Sequence, residues 1–126
     1  MKITTFDPII LTKDADSVIK TFEALGFEKT HAPVTPVDDK EVQGYRMKNA
    51  DGYHVEVAST TRDMTQDEMI IRMNVDDFEE AYNILTAHGF KNTRGDGETI
   101  DTKSAKGAGM VSPSGFRIAL VKHIKK

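Results

Sequence analysis

Two stretches of this sequence, TKDADSVIKTFEALGFEKT (12–30) and VDDFEEAYNILTAHGFKNT (75–93), align with each other without a gap. Equivalent residues are 63 positions apart, as the two aligned aspartates show (77 − 14). The same offset aligns QGYRMKNADGYHVEV (43–57) with KGAGMVSPSGFRIAL (106–120). One constant offset over separated segments indicates that the chain is a tandem of two similar modules.

Each copy of the first stretch has the pattern of an amphipathic helix. Asp14 can cap the helix at its start, and Gly26 is a typical helix end because glycine adopts the left-handed conformation readily. The equivalent residues Asp77 and Gly89 delimit the second helix. Apolar residues at helical spacing are predicted to face inward. They are Val18, Ile19, Phe22 and Leu25 in the first copy, and Phe78, Ala81, Tyr82 and Leu85 in the second.

The segments around these helices read as strands and turns. The sequence predicts an α+β fold of two tandem β-α-β-β-β modules within a single domain, 1–126. Module one covers 1–60, a polar connector covers 58–68, and module two covers 69–126. The stretch PVTPVDDKE (33–41) is predicted to be a turn-rich loop, because proline and acidic residues interrupt the strand pattern there.

Composition excludes several classes of function. The chain has 126 residues, a net charge of −3 and no cysteine. Scattered basic residues argue against nucleic acid as a partner. The absence of cysteine leaves His, Asp and Glu as the candidate metal ligands. No apolar run approaches the roughly 18 residues of a membrane span, and the first residues lack the pattern of a secretory signal. A cytoplasmic protein without a membrane partner is expected.

The segments LTKDADSVIKTFEALGF (11–27) and DGYHVEV (51–57), together with the repeat, resemble the vicinal oxygen chelate superfamily. That superfamily includes glyoxalase I, bleomycin- and fosfomycin-resistance proteins and extradiol dioxygenases. The resemblance implies that each module curls its sheet and that the sheets surround a groove. It also implies that metal-using members take ligands from the first and the last strand of each module.

The resemblance places the ligand positions of this chain at Asp7 and Glu56 in module one, and at Ile70 and Ala119 in module two. Neither Ile70 nor Ala119 has a lone pair to donate, so a divalent ion would have two protein oxygens at most. We therefore expect no cofactor. The alternative is a weak metal site formed by Asp7, His54 and Glu56, in which His54 and Glu56 share one face of a strand.

Alternation along the strands separates a groove face from a face packed under the helices. The opposite, helix-side face is predicted to be apolar, with Ile10, Val55, Val57, Ile71, Met73, Val75, Ile118 and Leu120. The predicted ligand-binding groove is lined by Asp7, Ile9, His54, Glu56, Ile70, Arg72, Asn74, Arg117 and Ala119. Two interpretations of its arginines stay open. They pair with the carboxylates as buried ion pairs, or they bind an anionic ligand.

The function expected from these features is binding of a small molecule without a metal ion, similar to sequestration by the bleomycin-resistance proteins. One alternative is a glyoxalase-like, metal-dependent lyase or isomerase that uses the Asp7, His54 and Glu56 site. A second is an interaction domain without a ligand. The catalytic residues, if any, are not identified by any motif. Open sheet edges and the repeat predict a homodimer.

Overall fold

The computed structural model describes residues 1–37, 40–60 and 63–124. The chain divides into two compact units. The first unit is Asp7–Met69, and the second combines Met1–Phe6 with the chain from Ile70 onward. Both units contain one helix and several strands, so the predicted α+β class is confirmed.

The first unit contains the second part of β1 (Ile3–Thr12), followed by α1 (Ala15–Ala24), β2 (Glu28–His31), β3 (Val34–Val37), β4 (Lys40–Lys48) and β5 (His54–Ser59). Its strands lie in the order β2-β4-β5-β1, and β3 pairs with β4. The β1–β5 pairing is parallel and the others are antiparallel. The sheet of this unit is therefore mixed.

The second unit contains β6 (Glu68–Val75), α2 (Phe78–Ala87), β7 (Lys91–Asn92), β8 (Ile100–Asp101), β9 (Ala105–Val111) and β10 (Arg117–His123). Its strands lie in the order β6-β10-β9-β7, and β8 pairs with β9. The β6–β10 pairing is parallel, while β9 is antiparallel to β7, β8 and β10. This arrangement matches that of the first unit strand for strand.

The offset of 63 residues that relates the two halves of the sequence also relates their backbones. The helices correspond at both ends (78 − 15 and 87 − 24). The pairing of Arg46 with Glu56 corresponds to that of Gly109 with Ala119. The parallel pairings follow the same rule, since Ile9 pairs with Glu56 and Arg72 with Ala119. The repeat predicted from the sequence is thus a repeat of strand register.

Both helices begin and end as the sequence predicts. The carboxylate of Asp14 accepts a hydrogen bond from the backbone N–H of Ser17 (3.2 Å), and Asp77 accepts one from Glu80 (3.1 Å). The hydrogen bonds from Ser17 lower the pKa of Asp14, because they favour its charged form. The helices end before Gly26 and Gly89, whose φ angles of 102° and 88° lie in the left-handed region.

The predicted loop over 33–41 is wrong in the part that the structure describes. Val34–Val37 forms β3, which pairs with β4 through Thr35 and Val42. Proline suggested a turn, but an edge strand tolerates proline because its missing N–H has no partner to satisfy. β-Branched residues also favour extended backbone. Asp38 and Asp39, which belonged to the same prediction, lie outside the described residues.

The helix-side faces of the strands in the two units form two apolar cores. The first unit packs α1 on its sheet through Ile19, Met47, Val55 and Val57, with Ile10, Phe22 and Tyr45 at the margin. The second unit packs α2 on its sheet through Met73, Val75, Phe78, Ala81, Tyr82, Ala108, Met110, Ile118 and Leu120, with Ile71 and Leu85 at the margin. All eight residues predicted for the helix-side face belong to these cores. The prediction that Leu25 faces inward is wrong: it is the C-cap residue, after the last turn of α1, and is 66% exposed. In the described part of the chain, neither helix has the length and apolar character needed to cross a membrane.

The two helix-ending glycines give a matched pair of substitutions. An added Cβ at Gly26 meets nothing within 4 Å, whereas at Gly89 it meets Cγ of Pro113 at 2.8 Å. Gly26→Ala should lower the free energy of unfolding by about 1–2 kcal/mol, the cost of left-handed backbone for alanine. Gly89→Ala should cost more, because the proline ring must also move. Urea unfolding measures both values.

The Pro113→Ala background separates the cost of the left-handed backbone from the cost of the contact with the proline ring. There, Gly89→Ala should cost about as much as Gly26→Ala does in the wild type, since the contact is gone. Equal costs for the two glycines in the wild-type background would show that the Pro113 contact does not constrain this position.

Candidate ligand-binding faces

The face of the first unit that lies opposite α1 carries a row of paired residues across four strands, and three of these residues are polar. Strand pairing places Ile9 of β1 beside Glu56 of β5, Glu56 beside Arg46 of β4, and Arg46 beside His31 of β2. Directly paired residues have side chains on the same face and within contact distance. The row therefore brings a carboxylate, a guanidinium and an imidazole onto one surface.

Glu56 and Arg46 form an ion pair at the centre of this row. Nε of Arg46 lies 3.3 Å from Oε1 of Glu56. The Glu56 side chain is 10% exposed and that of Arg46 is 34% exposed. A carboxylate taken out of water needs a compensating charge or hydrogen bonds, and Arg46 supplies one such partner within the same unit. Glu56 also has further interactions.

Arg46 is a charged residue of this face that was not predicted from the sequence. The sequence predicted Arg72 and Arg117 as partners for the carboxylates, and the strand that contains Arg46 was given no face. The turn between the two strands sets the position of Arg46. Asn49 pairs with Tyr53 through a backbone hydrogen bond, and counting outward from that pair places residue 46 opposite residue 56. The register of this turn, which the structure supplies, is what makes Arg46 the neighbour of Glu56.

The proposed weak metal site does not assemble in this unit. Asp7 is 7% exposed and Glu56 is 7% exposed, whereas His54 is exposed and pairs with Lys48 across the strands. Within residues 1–37, 40–60 and 63–124, no three His, Asp or Glu side chains are arranged to hold a metal ion. Asp7, His54 and Glu56 thus lie on neighbouring strands but do not form a set of metal ligands.

In the second unit, the corresponding face combines arginines with small residues. Arg72 of β6 is paired with Ala119 of β10, and Asn74 with Val121. Nε of Arg72 donates a hydrogen bond of 3.1 Å to Oδ1 of Asn74, which orients the guanidinium along the strand. Arg117 is paired with Val111 on the same face. Arg72 and Arg117 have further interactions as well.

The two units differ most at the positions that correspond to the ion pair. Where the first unit has Arg46 and Glu56, the second has Gly109 and Ala119. A Cβ on Gly109 would lie 3.1 Å from Oγ1 of Thr93, so this threonine fills the space that a larger residue would need. The charged pair of one unit is therefore replaced by an uncharged, closely packed contact in the other.

A metal ion at the four positions implied by the resemblance does not fit these residues. Ile70 and Ala119 have no donor atoms, and the carboxylate of Glu56 is within hydrogen-bonding distance of Arg46. A cation would have to compete with the guanidinium for that carboxylate and would find no donor at either position in the second unit. The chemistry of the donor set disagrees with a metal centre of the kind that glyoxalases use.

A pocket of about 290 Å³ lies in a different part of the first unit. It is lined by Thr12, Lys13, Asp14, Ser17, Val18, Met64, Thr65, Gln66 and Asp67. None of the predicted groove residues contributes to it. Because Asp14 and Ser17 are already bonded to each other as the helix cap, we assign this pocket to the packing of the connector and place the candidate site on the polar faces.

No protein-family model matches the chain, and no curated protein matches its sequence. Solved structures do resemble it. Glyoxalase I from Zea mays superposes with a TM-score of 0.70 at 17% identity, covering 98% of this chain and 44% of that one. A glyoxalase/bleomycin resistance protein/dioxygenase superfamily member from Vibrio splendidus 12B01 superposes with a TM-score of 0.63 at 15% identity, covering 96% and 99%.

A triple mutant of 4-hydroxymandelate synthase from Streptomyces coelicolor superposes with a TM-score of 0.59 at 12% identity. It covers 99% of this chain and 49% of that one, so the chain spans less than half the length of the Zea mays and Streptomyces coelicolor enzymes. These likenesses establish the fold. The chain is a protein of the vicinal oxygen chelate fold, as the resemblance in its sequence implied.

The ion pair can be tested by a double-mutant cycle on Arg46→Met and Glu56→Gln. Each single change removes one charge and leaves the other partly buried, while the double change removes both. We expect a coupling free energy of about 1–2 kcal/mol, because the pair is charge-assisted but one-third open to water on the arginine side. Urea unfolding of the four proteins measures it.

Lys48→Met provides the matched control, since Lys48 is an exposed cation on the same strand and face. It should change the free energy of unfolding by less than about 0.5 kcal/mol. A coupling free energy near zero would mean that Glu56 is stabilised by its other interactions rather than by Arg46.

Proposed function

We propose that this chain is a small-molecule-binding protein that uses the vicinal oxygen chelate fold without a metal ion and takes an anionic ligand. The observation that carries this proposal is which residues stand at the equivalent positions 56 and 119, in the last strand of each unit. Glu56 forms an ion pair with Arg46, and its counterpart Ala119 is a methyl group beside Gly109. Metal-assisted catalysis needs several protein donors on one ion, and these two positions offer a single, already neutralised carboxylate.

The charges of the second unit support an anion as the ligand. The strand positions that share a face there are Ile70, Arg72, Asn74, Gly107, Gly109, Val111, Arg117, Ala119 and Val121. They include two arginines, and Glu68 at the start of β6, on the same face, adds one carboxylate. A guanidinium has five N–H donors in a planar fork that matches a carboxylate or phosphate.

The apolar residues of this face indicate the rest of the ligand. Val111, Ala119 and Val121 are partly buried, and Ile70 is too. Small-molecule sites commonly combine an apolar surface with a few convergent polar groups. We therefore propose an organic anion with an apolar body rather than an inorganic ion. Sequestration without conversion is the proposed activity, and the homodimer expected from the sequence stays a prediction.

Metal content separates this proposal from the glyoxalase-like alternative. Protein purified without a histidine tag should contain well under one equivalent of zinc, nickel, manganese or iron, because Ile70 and Ala119 cannot coordinate. Elemental analysis by mass spectrometry measures the content. Glu56→Ala is the matched variant. Nearly stoichiometric metal in the wild type that disappears in Glu56→Ala would favour the metal-dependent lyase.

A thermal-shift screen tests the nature of the ligand. Aromatic and aliphatic carboxylates should be compared with their neutral amides, so that shape is kept and charge is removed. At a hundredfold excess over its dissociation constant, a carboxylate should stabilise the protein by about 2.7 kcal/mol. Arg72→Met and Arg117→Met should each reduce this shift, while Lys103→Met, which changes an exposed cation elsewhere in the unit, should not.

Arg72→Lys refines the same test, because lysine keeps the charge and loses the bidentate fork. It should also weaken binding. Stabilisation by amides and carboxylates alike, unchanged in the arginine variants, would assign the arginines a structural role and overturn the anion proposal.

A further inference from the structure

Two aspartates in this sequence are followed by glycine: Asp51 in the first unit and Asp96 in the second. In an Asp–Gly pair, the backbone nitrogen of the glycine can attack the side-chain carboxyl carbon of the aspartate, since glycine has no side chain to hinder the approach. The reaction requires that the carboxyl group rotate toward that nitrogen and that the N–H be released. The structure determines how freely each pair can do so.

Asp51 lies in the exposed turn between β4 and β5. Its backbone N–H donates to Oδ1 of Asn49 (3.1 Å), and the N–H of Gly52 donates to the carbonyl of Asn49 (3.2 Å). These bonds hold the backbone of the turn. Among the described residues, none donates a hydrogen bond to the carboxylate of Asp51. This carboxylate can therefore rotate toward the nitrogen of Gly52 without breaking a hydrogen bond to any described residue.

Asp96 is held quite differently, by the hydroxyl group of Tyr82. That hydroxyl donates a hydrogen bond of 2.8 Å to Oδ1 of Asp96 and accepts one of 2.8 Å from the N–H of Gly97. Tyr82 is 8% exposed and belongs to the core of the second unit, so the hydroxyl is fixed in place. One hydroxyl oxygen thus restrains both the carboxylate and the nitrogen that would have to react.

We propose that Asp51 is a site of spontaneous isomerisation to isoaspartate, and that the hydroxyl of Tyr82 protects the Asp96–Gly97 pair from the same reaction. The two Asp–Gly pairs share their chemistry and both have a hydrogen-bonded glycine N–H, but among the described residues only the carboxylate of Asp96 is also held by a hydrogen bond.

The reaction needs only water. A bond forms between the nitrogen of Gly52 and Cγ of Asp51 while a Cγ–O bond breaks, and the hydroxyl group leaves with the amide proton as water. Water then opens the resulting five-membered imide. Cleavage at the side-chain carbonyl returns aspartate, and cleavage at the main-chain carbonyl gives isoaspartate. The mass of the protein is unchanged, but the main chain of the turn becomes one carbon longer.

The location of Asp51 gives the modification a structural consequence. Its turn sets the register in which Lys48 pairs with His54 and Arg46 with Glu56. An extra carbon in the main chain alters the spacing between Asn49 and Tyr53, whose backbone and side-chain bonds close the turn. Isomerisation should therefore destabilise the hairpin that carries the ion pair.

The experiment compares the two pairs in one wild-type sample. The folded protein is kept at neutral pH and 37 °C, and isoaspartate is located by peptide mapping with isoaspartyl methyltransferase labelling. Isoaspartate should accumulate at Asp51 about tenfold faster than at Asp96, which corresponds to about 1.4 kcal/mol in activation free energy. That is about the size of one protein hydrogen bond. In guanidinium chloride, where neither pair is held, the ratio should fall toward one.

Tyr82→Phe removes the hydroxyl and keeps the ring that stacks on Phe78. It should raise the rate at Asp96 and leave that at Asp51 unchanged, and Asp51→Glu should abolish the signal at residue 51. If Tyr82→Phe does not fold, the ratio of the two rates in folded and in unfolded wild-type protein still tests the proposal. Similar rates at the two aspartates in the folded protein would overturn the proposal, as would a ratio that guanidinium chloride does not change.

Discussion

The register of one hairpin in each half of the chain is the constraint on which the other features depend. A slip of one residue would move every side chain of a strand to the opposite face of the sheet. In the first unit, Oδ1 of Asn49 accepts the N–H groups of Asp51 and Tyr53. In the second, Oγ of Ser112 accepts those of Gly115 and Phe116. Two different side chains thus close equivalent turns. By setting the register, each keeps the core residues under the helix and the polar residues on the opposite face.

The sequence was sufficient to predict most of this backbone. Capping aspartates, helix-ending glycines and alternating apolar residues are local signals, and each of them occurs in both halves of the chain. The eight residues expected under the helices are all there because burial follows directly from alternation. Proline misled the prediction at Val34–Val37, since whether a strand lies at an edge is decided by pairing with distant residues and not by the residues themselves.

The polar faces could be predicted only in part, for a different reason. Alternation assigned Glu56 and Arg72 to a face, but the identity of an ionic partner depends on which strand lies beside it. Arg46 has no unusual local sequence, and only the pairing of β4 with β5 makes it the neighbour of Glu56. The repeat gave no help here, because the equivalent residues Gly109 and Ala119 are uncharged. The two halves agree in backbone and differ in the side chains that determine chemistry.

The parallel pairing of β1 with β5 has a consequence for how the chain folds. Ile9 and Glu56 are neighbours in the sheet although they are 47 positions apart (56 − 9), whereas β4 and β5 are joined by a short turn. Hairpins form within microseconds, but contacts between distant residues require closure of a long loop and slow the search for the native state. We expect β1 to join its sheet late. Until it does, the edge of β5 that β1 covers is open to pairing with another chain. Self-association therefore competes with folding most strongly during that interval.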